Sequence, residues 1–406
     1  MIFKGNYMFY RFRYIAIPFC FLHSSVLSFF LVVLSPVPAW AAEPVMPART
    51  IRTIETEARR LMREHDVPGL AIAVTVDGRH RIFNNGVVSR QSGAPVVSKT
   101  LFEIGSISKT FTGLLASYAQ VKGKLSLFDE VSDHLPVLKG SAFDTVTVLN
   151  LATHTSGLEL FLPDEARTQE ALLAYCGAWT RRYSPGTQRT YSNIGTALLG
   201  IVGATAMKQS YDEVINGEIL PRLGLSNTYT QVPAGRLKDY AQGYNRRGEP
   251  VRLASAPLAA ATYGIRTTAD DLIRYVEAYM GIGDLEPDMQ RAIRQALTGY
   301  FKAGALTQDL IWEQYAYPVG LKRLLQGNSR TMVREDVPAM RLKPAFPPRK
   351  KVLINKSGST RGFSAYVAFV PGSRIGVALL ANKSVPAPDR VKTAYRILEA
   401  LEDARP

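Results

Sequence analysis

Leu70-Ala71-Ile72-Ala73-Val74-Thr75-Val76-Asp77-Gly78-Arg79-His80-Arg81-Ile82-Phe83 holds an apolar run, an Asp-Gly pair and a second run, the pattern of a β-hairpin. Upstream, Arg49 to Glu64 sets Ile51, Ile54, Ala58 and Leu61 at helical spacing, and Pro68-Gly69 closes that segment before the first strand. Strand character returns near the other end of the chain, at Val352 to Asn355, Ser364 to Val370 and Ile375 to Leu380, with Pro371-Gly372 as a turn. Pro388 to Asp403 reads as a terminal helix. Between these ends, a helix runs from Ser106 with Ile107, Phe111, Leu114, Leu115 and Tyr118 on one face, and Lys122-Gly123 ends it. The region up to about Arg246 is loop-rich and helical, including Ile194 to Met207. Strands at both ends with helices inside predict an α/β plus all-α fold: an antiparallel sheet built from both termini, flanked by helices, with an inserted helical domain. The expected divisions are a signal peptide over 1–41, an α/β domain from 42–115 and 247–406, and a mainly helical domain over 116–246. Arg341 to Lys351, rich in Pro and Lys, reads as an exposed connection.

The chain has 406 residues, 46% hydrophobic and 20% charged, enough to bury a large core and unlike a disordered composition. Lys4, Arg11 and Arg13 precede an apolar run from Tyr14 to Leu34, then Pro36, Pro38 and Ala39-Trp40-Ala41, the layout of an export signal cut after Ala41. The expected destination is the periplasm. The run is long enough to just span a bilayer, so an uncleaved anchor is the alternative, and a start at Met8 would shorten the charged end. Phe19 stands before Cys20 where a lipoprotein signal wants a small residue, which argues against lipid attachment. Later hydrophobic runs are broken by charges, so no stable membrane insertion is expected after signal cleavage.

With Cys20 in the signal, Cys176 has no intramolecular partner, so no disulfide framework supports the fold. Cys176 lies in the apolar run Ala171 to Trp179 and reads as packing rather than as a nucleophile. The formal charge is +15, or +12 without Lys4, Arg11 and Arg13. That charge either steers anionic substrates or cell-surface polymers toward the protein or only keeps it soluble, and the scatter of the basic residues favours the second. The densest basic groups, Arg181-Arg182 and Arg349-Lys350-Lys351, lack the interleaved aromatics of a nucleic-acid surface, and no nucleic-acid partner is expected. His65, His80, His134 and His154 have no ligand spacing, so no metal is expected, and no phosphate loop or dinucleotide fingerprint implies a cofactor.

Three short groups carry chemistry. Gly105-Ser106-Ile107-Ser108-Lys109 sets a hydroxyl and an amine three apart at a helix start, on one face. A serine hydroxyl needs a neighbouring base, and a lysine in a dry, positive pocket is neutral enough to be one. Tyr191-Ser192-Asn193 follows the turn Pro185-Gly186-Thr187 and heads the next helix, offering a phenol that nearby cations acidify and an amide that both donates and accepts. Lys356-Ser357-Gly358-Ser359-Thr360 closes a strand, with a lysine to meet a carboxylate and a glycine that permits close backbone approach. Each group alone is common on exposed segments; the three in this order are far more specific.

Together they resemble the serine β-lactamase and penicillin-binding superfamily, with its Ser-x-x-Lys, Ser/Tyr-x-Asn and Lys-Thr/Ser-Gly. The tyrosine of the middle group points to the class C, or AmpC-type, branch. Phe102 to Gly113, Leu151 to Gly157, Pro185 to Asn193, Ala261 to Ile265, Gly362 to Pro371 and Leu379 to Lys383 are also similar to that family. The resemblance implies an α/β domain beside a helical one with the pocket between them, and a monomer acting on a small-molecule β-lactam. It makes Ser106 the acylated nucleophile, with Lys109 and Tyr191 sharing its proton and passing it to the leaving nitrogen. Asn193 would hold Lys109 and the substrate amide, and Lys356 would keep Tyr191 acidic and attract the substrate carboxylate, to which Ser357 donates. The N–H groups of Ser106 and Ser359 would form the oxyanion hole. Tyr263 resembles a pocket-wall tyrosine, and Arg390 a family arginine at the substrate end. Phe161, where the family usually has glutamine, and Ala387, where it has asparagine, remove polar groups from the rim. A D,D-peptidase or esterase shares the first half-reaction, and a binding or sensing protein would share only the pocket.

Overall fold

Strand β1 (Gly69–Val76) turns at Asp77-Gly78 into β2 (Arg79–Gly86), with φ of 52° and 83° at the two turn residues, the conformation that Asp-Gly favours. The helix before it, α1 (Ala48–His65), stops at Asp66 in the left-handed region. The computed structural model describes residues 46–161, 168–254 and 259–405, together with Arg11, Arg13 and Ile15. The expected signal over 1–41, with its cleavage site, Met8 and Cys20, lies outside the described residues apart from those three.

Ten strands form one sheet. After β1 and β2 come β3 (Phe102–Glu103), β4 (Gln188–Arg189), β5 (Arg266–Thr267), β6 (Gly299–Ala303), β7 (Leu306–Gln308), β8 (Glu313–Ala316), β9 (Val337–Phe346), β10 (Val352–Ser359), β11 (Ser364–Val370) and β12 (Ile375–Ala381). The spatial order is β2-β1-β12-β11-β10-β8-β7-β6-β9-β4, antiparallel at each pairing, and β3 with β5 forms a separate two-stranded ladder. The hairpin at the start of the chain is thus joined to its last strand, Leu70 facing Ala381 and Val76 facing Ile375. This is the antiparallel sheet drawn from both termini that the strand pattern predicts.

The longer helices after α1 are α2 (Ser108–Val121), α3 (Gln169–Ala178), α4 (Asn193–Ala206), α5 (Ala269–Tyr279), α6 (Pro287–Ala296) and α7 (Ala387–Glu402). Leu70, Ile72 and Val74 of β1 join one core with Ile54, Ala58 and Leu61 of α1 and Val391, Ala394 and Ile397 of α7. Ala71 and Ala73 face the other core, with Phe111 of α2 and Leu272, Ile273 and Val276 of α5. Covering both faces explains why β1, β11 and β12 read as continuous apolar runs rather than alternating ones. Cys176 is buried in α3, and burial pushes its thiol up to about 12, which makes it packing and not a nucleophile.

The sequence reading fails at one stretch. Arg341 to Phe346, expected as part of an exposed connection, is the second half of β9, paired with β6 through Phe301↔Arg341 and Gly299↔Phe346. Pro338 and Pro344 disguise it, because proline is at home on a strand with little pairing on one side, and β9 meets only two residues of β4.

Candidate active site

Gly105, with φ of 53°, opens a single 3₁₀ turn over Gly105–Ile107 from which α2 continues, and this puts Ser106 at the base of the helix. Lys109, one turn on, is fully buried, and its Nζ donates to Ser106 Oγ at 3.2 Å and to the carbonyl of Thr262 at 2.7 Å. The turn that carries Thr262 is stitched to α2: Thr112 Oγ1 donates to Ala261 O at 2.7 Å, and Ile265 N donates to Ser108 Oγ at 3.0 Å. Tyr263 sits on this turn, half-buried, next to the residue that anchors Lys109.

Tyr191 arrives from the other side. Its neighbour Ser192 caps α4 by accepting from Gly195 N at 2.9 Å and donates to Glu159 O at 2.6 Å, while the N–H of Asn193 donates to Leu160 O at 3.1 Å. The segment between β4 and α4 is therefore fastened to the loop at Glu159-Leu160. The Tyr191 ring, 5% exposed, has Lys356 Nζ at 5.0 Å, Lys109 Nζ at 5.5 Å and the Arg189 guanidinium at 5.6 Å from its centroid. Burial pushes its phenol up, but the charges of Lys109 and Lys356, with a hydrogen bond to Ser106, more than reverse that and leave it below its ordinary value. Burial and the nearby Lys356 bring Lys109 down to about 8, with Tyr191 opposing. Lys109 and Tyr191, both held below their ordinary values, are each within hydrogen-bonding range of the same serine.

The third wall is the end of β10. Lys356 is 2% exposed and stands 3.6 Å from Glu313, which also pairs with Arg189 at 3.0 Å. Beyond it, Ser357 is half-buried and Ser359 exposed. A Cβ on Gly358 would sit 1.9 Å from Ile104 O, and one on Gly105 would sit 2.3 Å from Ser359 N. Only glycines let the strand end and the turn bearing Ser106 touch, and that contact sets Ser359 against Gly105, the residue before Ser106. Ser106, Lys109, Tyr191, Asn193, Lys356, Ser357, Ser359 and Tyr263 thus lie on segments that converge. Arg390 differs: it is 3% exposed, and its guanidinium binds protein groups at the end of β10 and the start of β11. Phe161 is 57% exposed with the Arg334 guanidinium 5.2 Å from its ring, and Ala387 is the first residue of α7.

Three neighbours escape a reading of the sequence. Arg189 and Glu313 are buried charges far apart in the chain, and nothing local marks them as a pair. His154, set aside as a lone histidine, is 1% exposed with its ring 4.4 Å from that of Tyr191, and its Nδ1 accepts from Ser192 N at 3.3 Å. Burial and then Arg189, Lys356 and Lys109 hold it neutral, far below its usual value, so it adds no charge beside the phenol. Its one signal was its place within the Leu151 to Gly157 stretch.

The arrangement can generate a nucleophile at Ser106, donate two N–H groups to an oxyanion and shuttle a proton through Lys109 and Tyr191. Residues 54–402 match the family model described as Beta-lactamase. A β-lactamase of Lysobacter lactamgenus is 46% identical over 87% of this chain and 92% of its own length. One of Providencia stuartii is 42% identical over 87% and 92%. Among solved structures, a class C β-lactamase in complex with cefoxitin superposes with a TM-score of 0.85 at 47% identity, covering 86% of this chain and 98% of that one. The D-alanine carboxypeptidase AmpC of Burkholderia cenocepacia gives 0.83 at 48%, covering 86% and 99%.

Proposed function

The chain belongs to the beta-lactamase family, in its class C branch, and on that premise we propose that it hydrolyses the amide of cephalosporins and penicillins through an acyl-Ser106 intermediate. One observation carries the mechanism: Lys109 reaches Ser106 at 3.2 Å while the Tyr191 ring is flanked by the ammonium groups of Lys109 and Lys356. The Ser106 hydroxyl loses its proton to this pair as Oγ attacks the lactam carbonyl. The negative charge on the carbonyl oxygen is met by the N–H groups of Ser106 and Ser359. Tyr191 returns the proton to the lactam nitrogen as the C–N bond breaks, which restores the base. In the second half-reaction Tyr191 takes a proton from water as the water attacks the acyl ester, then gives it to Ser106 Oγ as the ester C–O bond breaks, which frees the serine and restores the base. Asn193 orients the substrate's side-chain amide, Lys356 and Ser357 receive its carboxylate, and Tyr263 forms a wall of the pocket.

The rest of the reading follows from the same premise. We assign 1–41 to an export signal and the enzyme to the periplasm, as a monomer, with 116–246 as a helical domain beside an α/β domain of 42–115 and 247–406. No helix among the described residues is long and apolar enough to cross a membrane. The 48% identity to a D-alanine carboxypeptidase keeps a D,D-peptidase as the second reading.

The deciding experiment is turnover of a chromogenic cephalosporin by the purified protein and by Ser106→Ala, with intact mass recorded during reaction. Turnover abolished in the mutant is expected. A persistent adduct without turnover moves the protein to the peptidases, and neither adduct nor turnover sinks the lactam reading.

A further inference from the structure

Arg390 is a cation buried at the start of α7, and no carboxylate among the described residues pairs with it. A buried, unneutralised guanidinium costs free energy, so what it holds is informative. Its Nη1 donates to the carbonyls of Gly358 and, at 2.7 Å, Ala365, and its Nη2 donates to Ser359 Oγ at 2.9 Å. Gly358 and Ala365 face each other across β10 and β11, so one planar group clamps both strands at the end of the ladder. On its other side the same strand end lies against Ile104 and Gly105, in the contact that admits no Cβ. Gly358 and Ser359 are therefore gripped between the turn bearing the nucleophile and the guanidinium of α7.

We propose that Arg390 is a positioning residue for the oxyanion hole: it fixes the Gly358–Ser359 end of β10 against Gly105, so that the Ser359 N–H meets the acyl oxygen, instead of binding the substrate carboxylate. The inference rests on the acyl-serine reading. A substrate contact would act on ground-state binding of carboxylates alone; a clamp on the oxyanion donor acts in the transition state of every acyl substrate.

The test compares wild type, Arg390→Ala and Arg390→Lys on a chromogenic cephalosporin and on its carboxylate methyl ester, separating kcat from KM. Loss of one oxyanion donor lowers kcat by roughly 10²–10³-fold, and Arg390→Ala is expected to lose about 10²-fold on both substrates with KM little changed. Arg390→Lys, which keeps the charge but not the fork, is expected to recover part of kcat. If Arg390→Ala fails to fold, Arg390→Lys and Arg390→Gln, checked by circular dichroism, supply the same acid-to-ester comparison. A rise in KM confined to the free acid, or no change in either parameter, overturns the proposal. Wild-type protein with neither turnover nor adduct overturns the acyl-serine reading itself and this proposal with it.

Discussion

The carboxylate of Glu313 lies 3.6 Å from the ammonium of Lys356, and its Oε1 is also 3.0 Å from Arg189, so one anion serves two cations that are almost wholly out of water. Removing one partner of a buried pair leaves uncompensated charge, at a cost of about 3–5 kcal/mol. Glu313→Gln should lose stability on that scale in a denaturant titration. A loss below about 1 kcal/mol would mean that the charges are solvated in a way this geometry does not show.

The pH dependence of acylation follows from Lys109, brought down to about 8 by burial. Below that value the amine is mostly protonated, so kcat/KM should climb about tenfold per pH unit and level off above it. Stopped-flow acylation of wild type and Lys109→Arg checks this: the arginine variant should lose the limb and run slower by about 10²–10⁴-fold. A flat wild-type profile between pH 6 and 9 would remove Lys109 from the proton path.

The glycine contact predicts a sharp steric result. Gly358→Ala should abolish turnover, since the added carbon would meet Ile104 O at 1.9 Å, and Gly105→Ala should do the same against Ser359 N at 2.3 Å. Gly177→Ala in α3, where an added Cβ meets nothing within 4 Å, is the control and should leave activity intact with stability unchanged or raised by about 0.5–1 kcal/mol. Equal activity of the three variants would disprove close contact between strand end and turn.

Away from the site, His80 bridges two carboxylates, Nδ1 at 3.1 Å from Glu277 and Nε2 at 3.0 Å from Asp270. The hydrogen bond to Glu277, then the charges of Glu277 and Asp270, raise it above its ordinary value, against desolvation and the repulsion of Arg274. A raised histidine stabilises fully below its unfolded value of 6.5, and loses that contribution as pH rises through the folded one. His80→Gln should therefore lower the melting temperature more at pH 6 than at pH 9. The reverse order would show that the ring is neutral in the folded state.

What a single sequence reveals here divides along a physical line. Ser106, Lys109, Tyr191 and Lys356 are legible because local spacing places them at a helix start, a turn and a strand end. The hairpin at Asp77-Gly78 and the runs that became β11 and β12 are legible because apolar content and turn chemistry are local too. Strands β6, β7 and β8 are not, since they are short and turn Gln308, Glu313 and Gln314 inward, where burial of polar groups erases alternation. Arg189, His154 and Glu313 gain their meaning only from partners that the fold supplies. Arg390 is legible as a residue of interest, but the groups it grips are a matter of three dimensions.

The N–H of Gly69 bonds to Asn382, 313 residues away, and Thr50 reaches Ala400 across 350. A nascent chain that has not yet delivered its last fifty or so residues has β2 but not β12 beside β1 and no α7 to lie on α1, and Lys356 has not yet joined the pocket. Synthesis therefore cannot yield a working enzyme piecemeal. Such long loops must close before their contacts repay them, which slows folding and keeps the chain open until it is complete. Ser106 is made early and meets its neighbours late.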